Sequence, residues 1–413
     1  MDNKIEKRVC VIVLGDIARS PRMINHTVEL IKHTKVDLIG YCDTKVPNRL
    51  ENANIDIKPL SFSFLHVIKK LPSIIYLIFR LFLEFLQMFV LLFIKAKQPY
   101  KKILIQNPPC FHVLPLLLLY KKLKKAEIII DIHNYGFTLL SDRMSKFKKI
   151  FTFLEVFLIR VTGSRFLVVS EAMRENVKTK WKLSNITTLY DKPNRKVFKP
   201  ITLLEKHYFL MKFPEFKLDD NKTAFTKCIG TEVKDREEGD LLLISNSSYS
   251  LDDDYDIFIN ALIQFDSEKR KRGLTVIMTG SGPFKHFWKD KMSSLNLSQV
   301  KILFRWFSNE DYPKIVACAD FGVCLHKSSS GYDLPMKVLD LNSCRVPVLT
   351  LEYGKTIKEL VTDKQNGLLF TSSDELTLIL DSIVQNKEET QIKWSFDESN
   401  WSKEWEIKFG WKE

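Results

Sequence analysis

The feature that most constrains this chain is a succession of short, continuous apolar runs that recur along almost its whole length. These runs do not alternate polar with apolar residues, and this pattern is typical of parallel strands that are buried on both faces. Helical patterns lie between the runs, so the sequence predicts a repeating βα architecture. The predicted strands are RVCVIVLG (8–15), KVDLIGYC (35–42), IDIKPL (55–60), KKILIQN (101–107), AEIIIDIH (126–133), RFLVVS (165–170), ITTLYD (186–191), DLLLISN (240–246), GLTVIMTG (273–280), VKILFRW (300–306), FGVCLH (321–326) and VPVLTL (346–351).

The alternation of strands and helices breaks once, where KPNRKVFKP is followed by a charged stretch that ends in TEVKDREEGD. We therefore predict an α/β protein with two Rossmann-like, doubly wound parallel-sheet domains that face each other across a cleft. The predicted limits are 1–195 for the first domain, 196–239 for a linker with some local helix, 240–392 for the second domain, and 393–413 for a C-terminal tail that packs back on the first domain.

The charge balance of the chain narrows the class of ligand. The 413 residues carry a formal net charge of +13 and the pI is about 9.2, which suits phosphate-bearing small molecules or an anionic membrane surface. Nothing resembles a zinc finger or an RNA-recognition signature, so nucleic acid ranks last. The seven cysteines are dispersed without a CxxC pair, which indicates a reducing compartment and argues against a disulfide framework or a zinc site.

One apolar segment, LPSIIYLIFRLFLEFLQMFVLLFI (71–94), is long enough to span a bilayer. Arg80 and Glu84 interrupt it at helical spacing and Gln87 follows one turn later, so a narrow polar stripe faces one way. Predicted strands of one sheet precede and follow the segment, and a true span would divide that sheet between two compartments. We therefore expect a helix that lies in the membrane interface, while a core helix under the sheet and a true span remain alternatives.

In doubly wound sheets, ligands bind beyond the carboxyl ends of the strands, so the residues just after each strand are the candidates. GDIARSPRM (15–23) follows the first strand. Gly15 would allow a tight turn, Asp16 is a carboxylate, and Arg19 and Arg22 stand near a helix start. The stretch holds no GxGxxG, so a dinucleotide fingerprint is absent. We interpret it as an anion or substrate loop, with a solvated basic loop as the alternative.

DIHNYG (131–136) ends another strand of the first half. His133 is a candidate proton acceptor or sugar-hydroxyl ligand, and Asn134 begins the turn that follows. Asp131 shares a face with His133, so a purely structural histidine that is satisfied by this carboxylate is equally open. QNPP (106–109) is expected to shape the neighbouring strand end, with a substrate contact as the alternative.

Two stretches of the second half are weaker candidates. SNSSYSLDDDYD (245–256) offers hydroxyls, including that of Ser247, to phosphate oxygens, while its three aspartates are expected to cap the next helix. TGSGPFK (279–285), which contains Gly280, is a glycine-rich turn from strand to helix, and such turns are common.

HKSSSGYDLPMKVLD (326–340) is the most informative stretch, because it places hydroxyls and a glycine ahead of a helix and a lysine in its first turn. We expect Asp333 to be the helix N-cap. A helix N-terminus attracts anions, and a bound diphosphate would neutralise Lys337. Asp340 lies three residues further on the same side, where it could accept hydrogen bonds from the hydroxyls of a ribose. A capped helix with a solvated lysine is the alternative.

These residues carry a family resemblance. PMKVLD followed by CRVPV resembles the P-x-K-x-x-[DE]…G-x-P-V signature of GT-B glycosyltransferases. Across about residues 8–375, the chain resembles the chitobiosyldiphosphodolichol β-mannosyltransferase family in seven segments, in the same order and at compatible spacing. The segments are LGDIARSPRM, QNPP, DIHNYG, AMRENV, YDKP, ADFGVCLHKSSSGYDLPMKVLDL and NGLLF.

The resemblance implies transfer of the first mannose from GDP-mannose to a dolichol-diphosphate-linked chitobiose at the cytosolic face of the endoplasmic reticulum membrane. The product would be a β-1,4 linkage, formed with inversion during lipid-linked oligosaccharide assembly for N-glycosylation. The resemblance implies no cofactor and no bound metal. Other dolichol-pathway mannosyltransferases and the membrane surface are further candidate partners.

The resemblance also implies roles for the candidate residues. The donor would be held by Ser247, Gly280, Arg305, Trp306, Ser328, Ser329, Ser330, Gly331, Asp333, Lys337 and Asp340. Within this set the serine loop and Lys337 would meet the diphosphate, Asp340 the ribose, Arg305 and Trp306 the base, and Asp333 the mannose hydroxyls. The acceptor or its phosphates would be met by Gly15, Arg19, Arg22 and Asn134. Asp16 is the expected general base and His133 the second candidate.

The chain departs from the family pattern in two places. Members usually carry an N-terminal membrane helix, whereas here the first predicted strand begins almost at once, so we expect residues 71–94 and the basic surface to serve as the anchor unless the chain is incomplete. Tyr332 stands where the common GT-B pattern has a glutamate, with Asp333 beside it. The alternatives are another GT-B transferase with a lipid-linked acceptor, a sugar-nucleotide epimerase, and a catalytically inactive scaffold subunit.

Overall fold

The computed structural model describes residues 8–61, 73–139, 145–328, 330–386, 390–396 and 399–409. The chain divides into two compact units. Unit 1 consists of Met1–Asp191 together with Asn400–Glu413, and unit 2 consists of Lys192–Ser399.

Unit 1 is built on a seven-stranded parallel sheet with helices between the strands. The strands are β1 (Arg8–Asp16), β2 (Lys35–Tyr41), β3 (Ile55–Pro59), β4 (Lys102–Asn107), β5 (Glu127–Ile132), β6 (Arg165–Val168) and β7 (Ile186–Thr188). The helices are α1 (Pro21–Leu30), α2 (Ser73–Phe89), α3 (Leu114–Lys124), α4 (Ser145–Thr162) and α5 (Glu171–Thr179). The strand order is β3-β2-β1-β4-β5-β6-β7, so the direction of winding reverses between β1 and β4. In such sheets the carboxyl ends beside this reversal form the ligand crevice.

Unit 2 repeats this plan with six parallel strands and adds a small antiparallel sheet. Its first elements are α6 (Leu203–Leu210), β8 (Lys217–Asp219), β9 (Lys222–Thr223), β10 (Thr226–Ile229) and β11 (Glu232–Asp235). They are followed by β12 (Leu241–Ser247), α7 (Tyr255–Asp266), β13 (Leu274–Gly280), α8 (Lys285–Ser293), β14 (Val300–Phe304), α9 (Tyr312–Cys318), β15 (Phe321–Cys324), α10 (Met336–Ser343), β16 (Val348–Leu351), β17 (Gly367–Phe370) and α11 (Ser373–Val384). The parallel sheet has the order β14-β13-β12-β15-β16-β17, so the reversal lies between β12 and β15.

The segment predicted as a linker is instead part of unit 2. Helix α6 and the antiparallel sheet β11-β10-β9-β8 lie within residues 196–239, between residues 203 and 235. Phe209, Phe213, Phe216 and Phe225 are buried in the same core as side chains of β12 and β13. The linker prediction is therefore wrong over this part. The charged residues of the small sheet are typical of a linker, but the spaced aromatic residues anchor the segment in the core.

The last helix, α12 (Trp401–Lys408), belongs to unit 1. Trp401, Trp405 and Phe409 follow one another at helical spacing and are buried among the side chains of β1, β2 and α1. Arg165 at the start of β6 donates to the carbonyl oxygen of Lys408 at 2.7 Å. Apolar packing and backbone hydrogen bonds therefore both hold this end of the chain on unit 1.

The polar stripe of α2 faces unit 1. Glu84 is 3% exposed, accepts a hydrogen bond from the Tyr41 hydroxyl, and accepts another from Arg80 Nε at 2.9 Å. His112 Nε2 lies 2.9 Å from the second oxygen of Glu84. A short π-helical turn, Val90–Ile94, continues the helix, and Ile75–Ile94 is long and apolar enough to cross a membrane by length and composition alone. Residues 71 and 72 of the predicted interfacial helix lie outside the described residues.

Candidate functional site

The carboxyl end of β5 in unit 1 carries a buried carboxylate, that of Asp131, at the centre of a charged network. Arg22 reaches it from the first turn of α1, with Nε 2.8 Å from Oδ2 and Nη2 2.9 Å from Oδ1. Arg22 also donates to the carbonyl of Leu189 at 2.7 Å and to Asp191 at 3.1 Å. Burial alone would raise the pKa of Asp131, but the charge of Arg22 and the hydrogen bonds of two histidines hold it well below its ordinary value.

Arg22 was predicted to contact substrate phosphates, and its position contradicts this role. The residue is 4% exposed and its guanidinium is paired inside unit 1. Pro21 begins α1 at the end of a short 3₁₀ turn, Ile17–Arg19, and this geometry directs the next side chain toward the sheet. The sequence shows an arginine near a helix start, but not the direction in which it points.

Two histidines complete the Asp131 network. His133 Nε2 lies 2.8 Å and His26 Nε2 lies 3.1 Å from Asp131 Oδ2. The indole N–H of Trp405 in α12 donates to His26 Nδ1 at 3.0 Å, so the His26 proton sits on Nε2 and points at Asp131. Burial lowers the pKa of His26, which is consistent with this neutral form. His133 is 21% exposed, and its Nδ1 has no hydrogen-bond partner in the described part of the chain.

Asp16, the expected base, is held by its own loop. Its carboxylate accepts hydrogen bonds from Thr44 Oγ1 at 2.6 Å and from the Ala18 N–H at 3.2 Å, which makes it the cap of the short turn that follows β1. Arg19 Nε lies 3.6 Å away, and the Arg19 side chain is 79% exposed. Gly15 does not adopt the positive φ of a tight turn, and a Cβ added there would meet no atom within 4 Å.

The loop after β5 is fixed from α4. Glu155 is fully buried, and its two carboxylate oxygens accept the backbone N–H groups of Gly136 and Phe137, each at 2.9 Å. A Cβ at Gly136 would come within 2.6 Å of Glu155 Oε1, so the glycine lets this carboxylate lie close to the loop backbone. The amide oxygen of Asn134 accepts the N–H of Tyr135 at 2.8 Å, so this predicted acceptor contact also shapes the loop.

In unit 2, Lys337 lies in the first turn of α10 as the sequence predicts, but a protein carboxylate neutralises it. Its Nζ is 3.1 Å from Asp253 Oδ1. The other oxygen of Asp253 accepts the hydroxyls of Ser247 at 2.6 Å and Ser248 at 3.0 Å. Burial alone would raise the pKa of Asp253, but the charge of Lys337 and these hydroxyls keep it low. Ser247 is 4% exposed and therefore supports Asp253 and not, as predicted, a ligand.

The serine loop ahead of α10 is organised around Asp333. This carboxylate accepts hydrogen bonds from His326 Nε2 at 3.0 Å, from Ser330 Oγ at 3.1 Å and from the Ser328 hydroxyl. The prediction that Asp333 caps α10 is wrong, because Pro335 is the N-cap residue and supplies no side-chain cap. Burial alone would raise the pKa of Asp333, but the hydrogen bond from His326 and those from the serines lower it.

The same loop uses its hydroxyls on its own backbone. Ser328 Oγ accepts the N–H of Gly331 at 2.8 Å, and Ser330 Oγ accepts that of Tyr332 at 3.2 Å. Ser328 and Gly331 both have positive φ, at 53° and 77°. Ser329, a predicted diphosphate contact, lies outside the described residues.

Asp340 differs from the carboxylates above, because nothing in the described part of the chain donates a hydrogen bond to it. It lies one turn beyond Lys337 in α10 and is half-buried. Burial raises its pKa to about 7. Burial and the nearby charge of Asp340 raise the pKa of Tyr312. The Tyr312 hydroxyl accepts a hydrogen bond from Asn246 Nδ2 at 2.7 Å. A half-buried carboxylate without a donor is able to accept hydrogen bonds from a ligand that supplies hydroxyl or N–H groups.

Three further candidates surround the neighbouring strand ends. Gly280 has φ of 104°, and a Cβ there would approach Ser247 O to 2.1 Å, so only glycine fits. Trp306 is 65% exposed after β14. Arg305 pairs with Glu215 and stacks over the Phe213 ring at 4.5 Å, which ties this predicted base contact to the small sheet region.

The larger cavities of unit 2 lie elsewhere. One of about 400 Å³ is lined by Asp240, Arg270, Gly273 and Lys301, residues at the amino ends of strands. Because ligands of doubly wound sheets bind at the carboxyl ends of the strands, the region around Lys337 and Asp340 is the candidate ligand site of unit 2. No group of three or more His, Cys, Asp or Glu side chains that could hold a metal occurs among the residues that the structure covers.

The partners that decide these roles are not predicted by the local sequence. Asp253 was read as part of a capping run, and only Asp254 caps α7, by accepting the N–H of Ile257. His26, Trp405 and His326 were assigned no role. The only signal for His326 was its place at the end of a predicted strand, and no local signal pointed to His26 or Trp405.

Comparisons with known proteins agree with this architecture. A family model described as glycosyl transferases group 1 matches residues 239–386. The solved structures of Anabaena HepE, in complex with UDP and glucose, and of sucrose-phosphate synthase from Thermosynechococcus elongatus superpose with TM-scores of 0.62 and 0.64. Each match covers 98% of this chain and 95% of the other at 15% and 12% identity, so these matches show the GT-B fold alone.

Curated relatives are closer in sequence. The chitobiosyldiphosphodolichol beta-mannosyltransferase of Dictyostelium discoideum is 32% identical, over 91% of this chain and 84% of that protein. The UDP-glycosyltransferase TURAN of Arabidopsis thaliana is 32% identical, over 89% and 87%. The Homo sapiens protein of the same name as the Dictyostelium one is 30% identical, over 92% and 85%. The chain therefore belongs to the chitobiosyldiphosphodolichol beta-mannosyltransferase family of GT-B glycosyltransferases.

Proposed function

We propose that this chain transfers mannose from GDP-mannose to GlcNAc₂-diphosphodolichol and forms a β-1,4 linkage with inversion at the sugar. The observation that carries the proposal is the edge of unit 2 around α10, where Lys337 stands one turn from Asp340, a carboxylate to which no described residue donates a hydrogen bond. A cation and an unsatisfied carboxylate at that separation suit a diphosphate and an adjacent ribose.

Unit 2 is the donor unit in this proposal. Lys337, helped by the N-terminus of α10, stabilises the negative charge that develops on the diphosphate as the sugar leaves. Asp340 accepts hydrogen bonds from the two ribose hydroxyls. Trp306 offers an exposed ring to the base. Asp333 and His326, which are hydrogen-bonded to each other, face the sugar hydroxyls.

The reaction needs a base to take the proton of the attacking GlcNAc hydroxyl as the bond from the mannose to the diphosphate breaks. Both candidates belong to unit 1, and we assign the role to His133 in preference to Asp16. Asp131 accepts the Nε2 proton of His133 and thereby leaves the Nδ1 lone pair as the proton acceptor. Asp16, by contrast, caps its own turn and binds Thr44. Arg19 is the exposed cation of unit 1 that we propose for acceptor phosphates.

A dolichol-linked acceptor confines the reaction to a membrane. We propose that the chain acts at the cytosolic face of the endoplasmic reticulum membrane, without a cofactor or a bound metal. The apolar segment Ile75–Ile94 and the net positive charge support membrane attachment.

The test is a donor panel with a phytanyl- or dolichyl-diphosphate chitobiose acceptor. The full chain is offered GDP-mannose, UDP-GlcNAc and UDP-glucose, because one relative is named a UDP-glycosyltransferase. We expect a product only with GDP-mannose, and this product should be cleaved by a β-mannosidase. A product with a UDP-sugar alone would overturn the donor assignment, and an α-mannosidase-sensitive product would overturn the stereochemistry.

A further inference from the structure

Helix α4 carries a solvent-facing apolar stripe that the fold leaves uncovered. Ile150, Phe153, Leu154 and Phe157 recur at helical spacing and are 60%, 69%, 41% and 50% exposed. The Phe153 and Phe157 rings stack at 6.4 Å between centroids. A single exposed leucine is ordinary, but a stripe of four large side chains marks a contact surface.

Two neighbouring helices of unit 1 expose similar stripes. On α2 the exposed apolar side chains are those of Ile75, Leu77, Ile78, Phe79, Phe82, Leu86 and Phe89. On α3 they are those of Leu119 and Leu123. The polar stripe of α2 does not share this face, because Glu84 is buried against Tyr41 and His112.

The three helices lie beside one another. Helices α3 and α4 follow β4 and β5 and pack together. Phe111, just before α3, contacts Phe151 of α4 at 4.7 Å between ring centroids. Phe93, in the turn after α2, contacts Tyr120 of α3 at 5.1 Å. The outward stripes of α2, α3 and α4 therefore belong to neighbouring elements, and we call them together the apolar face.

Among the described side chains of the three helices, the exposed charges are of one sign. The exposed cations of α3, α4 and the turn after α2 are Lys95, Lys122, Lys124, Lys148, Lys149 and Arg160. The acidic residues among the described side chains of the three helices are Glu84 and Glu155, and both are buried with protein partners. Apolar stripes flanked by lysine and arginine match the headgroup and acyl boundary of an anionic bilayer, where lysine chains also reach the phosphates.

We propose that the apolar face docks unit 1 flat onto an anionic phospholipid bilayer, with α4 inserted beside α2 at the headgroup and acyl boundary. Helix α2 then lies in the interface and does not cross the membrane, because its buried Glu84 ties it to the body of unit 1. The proposal rests on the proposed function in one respect, since a lipid-linked acceptor gives the enzyme a reason to remain at the surface.

Vesicle flotation of the full chain tests the role of α4 without donor or acceptor. Phe153→Ser combined with Phe157→Ser leaves α2 intact and touches no buried residue. We expect binding to vesicles that contain anionic lipid to fall about tenfold for each phenylalanine, or roughly 100-fold for the pair. The matched control is Leu378→Ser on α11, where a residue of 66% exposure lies outside the face, and it should change nothing. Unchanged binding of the double variant would overturn the proposal.

Photocrosslinking to lipid tests the same contact without the double variant, and so remains informative if that variant folds poorly. A benzophenone-bearing phenylalanine at position 153 or 78 should crosslink to lipid in vesicles, and the same group at position 378 should not. Crosslinks from position 153 to a second copy of the chain, with no lipid adduct, would instead identify the face as a self-association surface and overturn the proposal.

Activity separates this inference from the proposed function. In detergent micelles with a phytanyl-linked acceptor, the double variant should keep the turnover of the parent chain, while it loses turnover on acceptor embedded in vesicles. Loss of vesicle binding by a chain that shows no transferase activity in any condition would support docking and reject the proposed reaction. Equal loss of turnover in micelles and vesicles would reject the docking role of α4.

Discussion

The carboxyl edges of the two sheets differ in whether their carboxylates have partners within the protein. In unit 1 the carboxylate of Asp131 is fully buried and satisfied by Arg22, His26 and His133. In unit 2 the carboxylate of Asp340 is half-buried and has no donor among the described residues. The first arrangement lowers the pKa of its carboxyl group and the second raises it, although burial acts in the same direction in both. The same residue type at a strand end can thus be satisfied within the protein or left to a ligand, and the neighbouring side chains decide which.

The largest expected effect concerns the paired edge. Arg22→Ala removes the partner of a fully buried carboxylate, so we expect the free energy of unfolding to fall by about 3–5 kcal/mol. Urea denaturation measures this change. The control, Arg19→Ala, removes an exposed charge 3.6 Å from Asp16 and should cost less than about 1 kcal/mol. An Arg22→Ala chain of normal stability that fails only to bind acceptor would restore the predicted phosphate contact.

His133, the partly exposed residue of the Asp131 network, should affect turnover. His133→Ala is expected to lower kcat by about 10²–10³-fold, because no base takes the acceptor proton, while GDP-mannose affinity stays within about twofold. Asp16→Asn should leave most of the turnover. If Asp16→Asn instead removes turnover and His133→Ala keeps it, then the base is Asp16 and His133 is structural.

At the edge of unit 2, substitution of Asp340 should weaken donor binding and should not destabilise the fold. Asp340→Asn should weaken GDP-mannose binding by about tenfold at about pH 8, as expected for the loss of charge-assisted hydrogen bonds to the ribose. Because burial raises the Asp340 pKa to about 7, binding by the parent chain should strengthen as the pH rises through that value. The diphosphate diester of GDP-mannose does not titrate there, so the difference between the calorimetric pH profiles of the parent chain and Asp340→Asn isolates the carboxyl group. An unaltered pH profile in Asp340→Asn would reject the assignment.

The same group gives a stability signature. A carboxyl pKa that is raised in the folded state means that the folded chain holds a proton that the unfolded chain has released, between the unfolded pKa and about 7. The free energy of unfolding contributed by Asp340 therefore falls as the pH rises through this window, and the penalty is complete above it. Asp340→Asn should raise Tm at about pH 8 and much less at about pH 4. A lower Tm at both values would mean that Asp340 has a structural partner.

The smallest expected effect tests how far the paired edge extends. Trp405→Phe keeps the stack on Phe409, at 4.5 Å, but leaves His26 Nδ1 without its donor, which should cost about 1 kcal/mol. Trp401→Phe is the matched control, because the Trp401 N–H has no hydrogen-bond partner among the described residues. Equal losses in both variants would show that ring packing alone accounts for the effect.

Much of the fold follows from contiguous residues. The continuous apolar runs predict parallel strands, and the structure has parallel strands at RVCVIVLG, KILIQN and FGVC. The stretch SSSGYDLPMK marks a loop before a helix and puts Lys337 in the first turn. The sheet at 217–235 was missed, because its strands are two to four residues long and mostly charged on the surface.

The candidate site was only partly predictable. The sequence predicts the strand ends and the α10 side chains that the proposed site uses. It also predicts ligand roles for Arg22 and Ser247, whose hydrogen bonds pair them inside the protein. It predicts an N-cap role for Asp333, whereas Pro335 is the N-cap residue. Each error has the same origin: a polar residue was judged without its partner.

By itself, the sequence determined the repeating βα order, the strand ends where chemistry can occur and the family, since apolar runs and short motifs are local properties. The tertiary structure alone decided which charges are neutralised. Arg22 meets Asp131 across 109 residues, Lys337 meets Asp253 across 84, and Trp405 meets His26 across 379. Such pairs depend on which strands become neighbours in each sheet, and that order is fixed by packing of the whole unit and by no single stretch of chain.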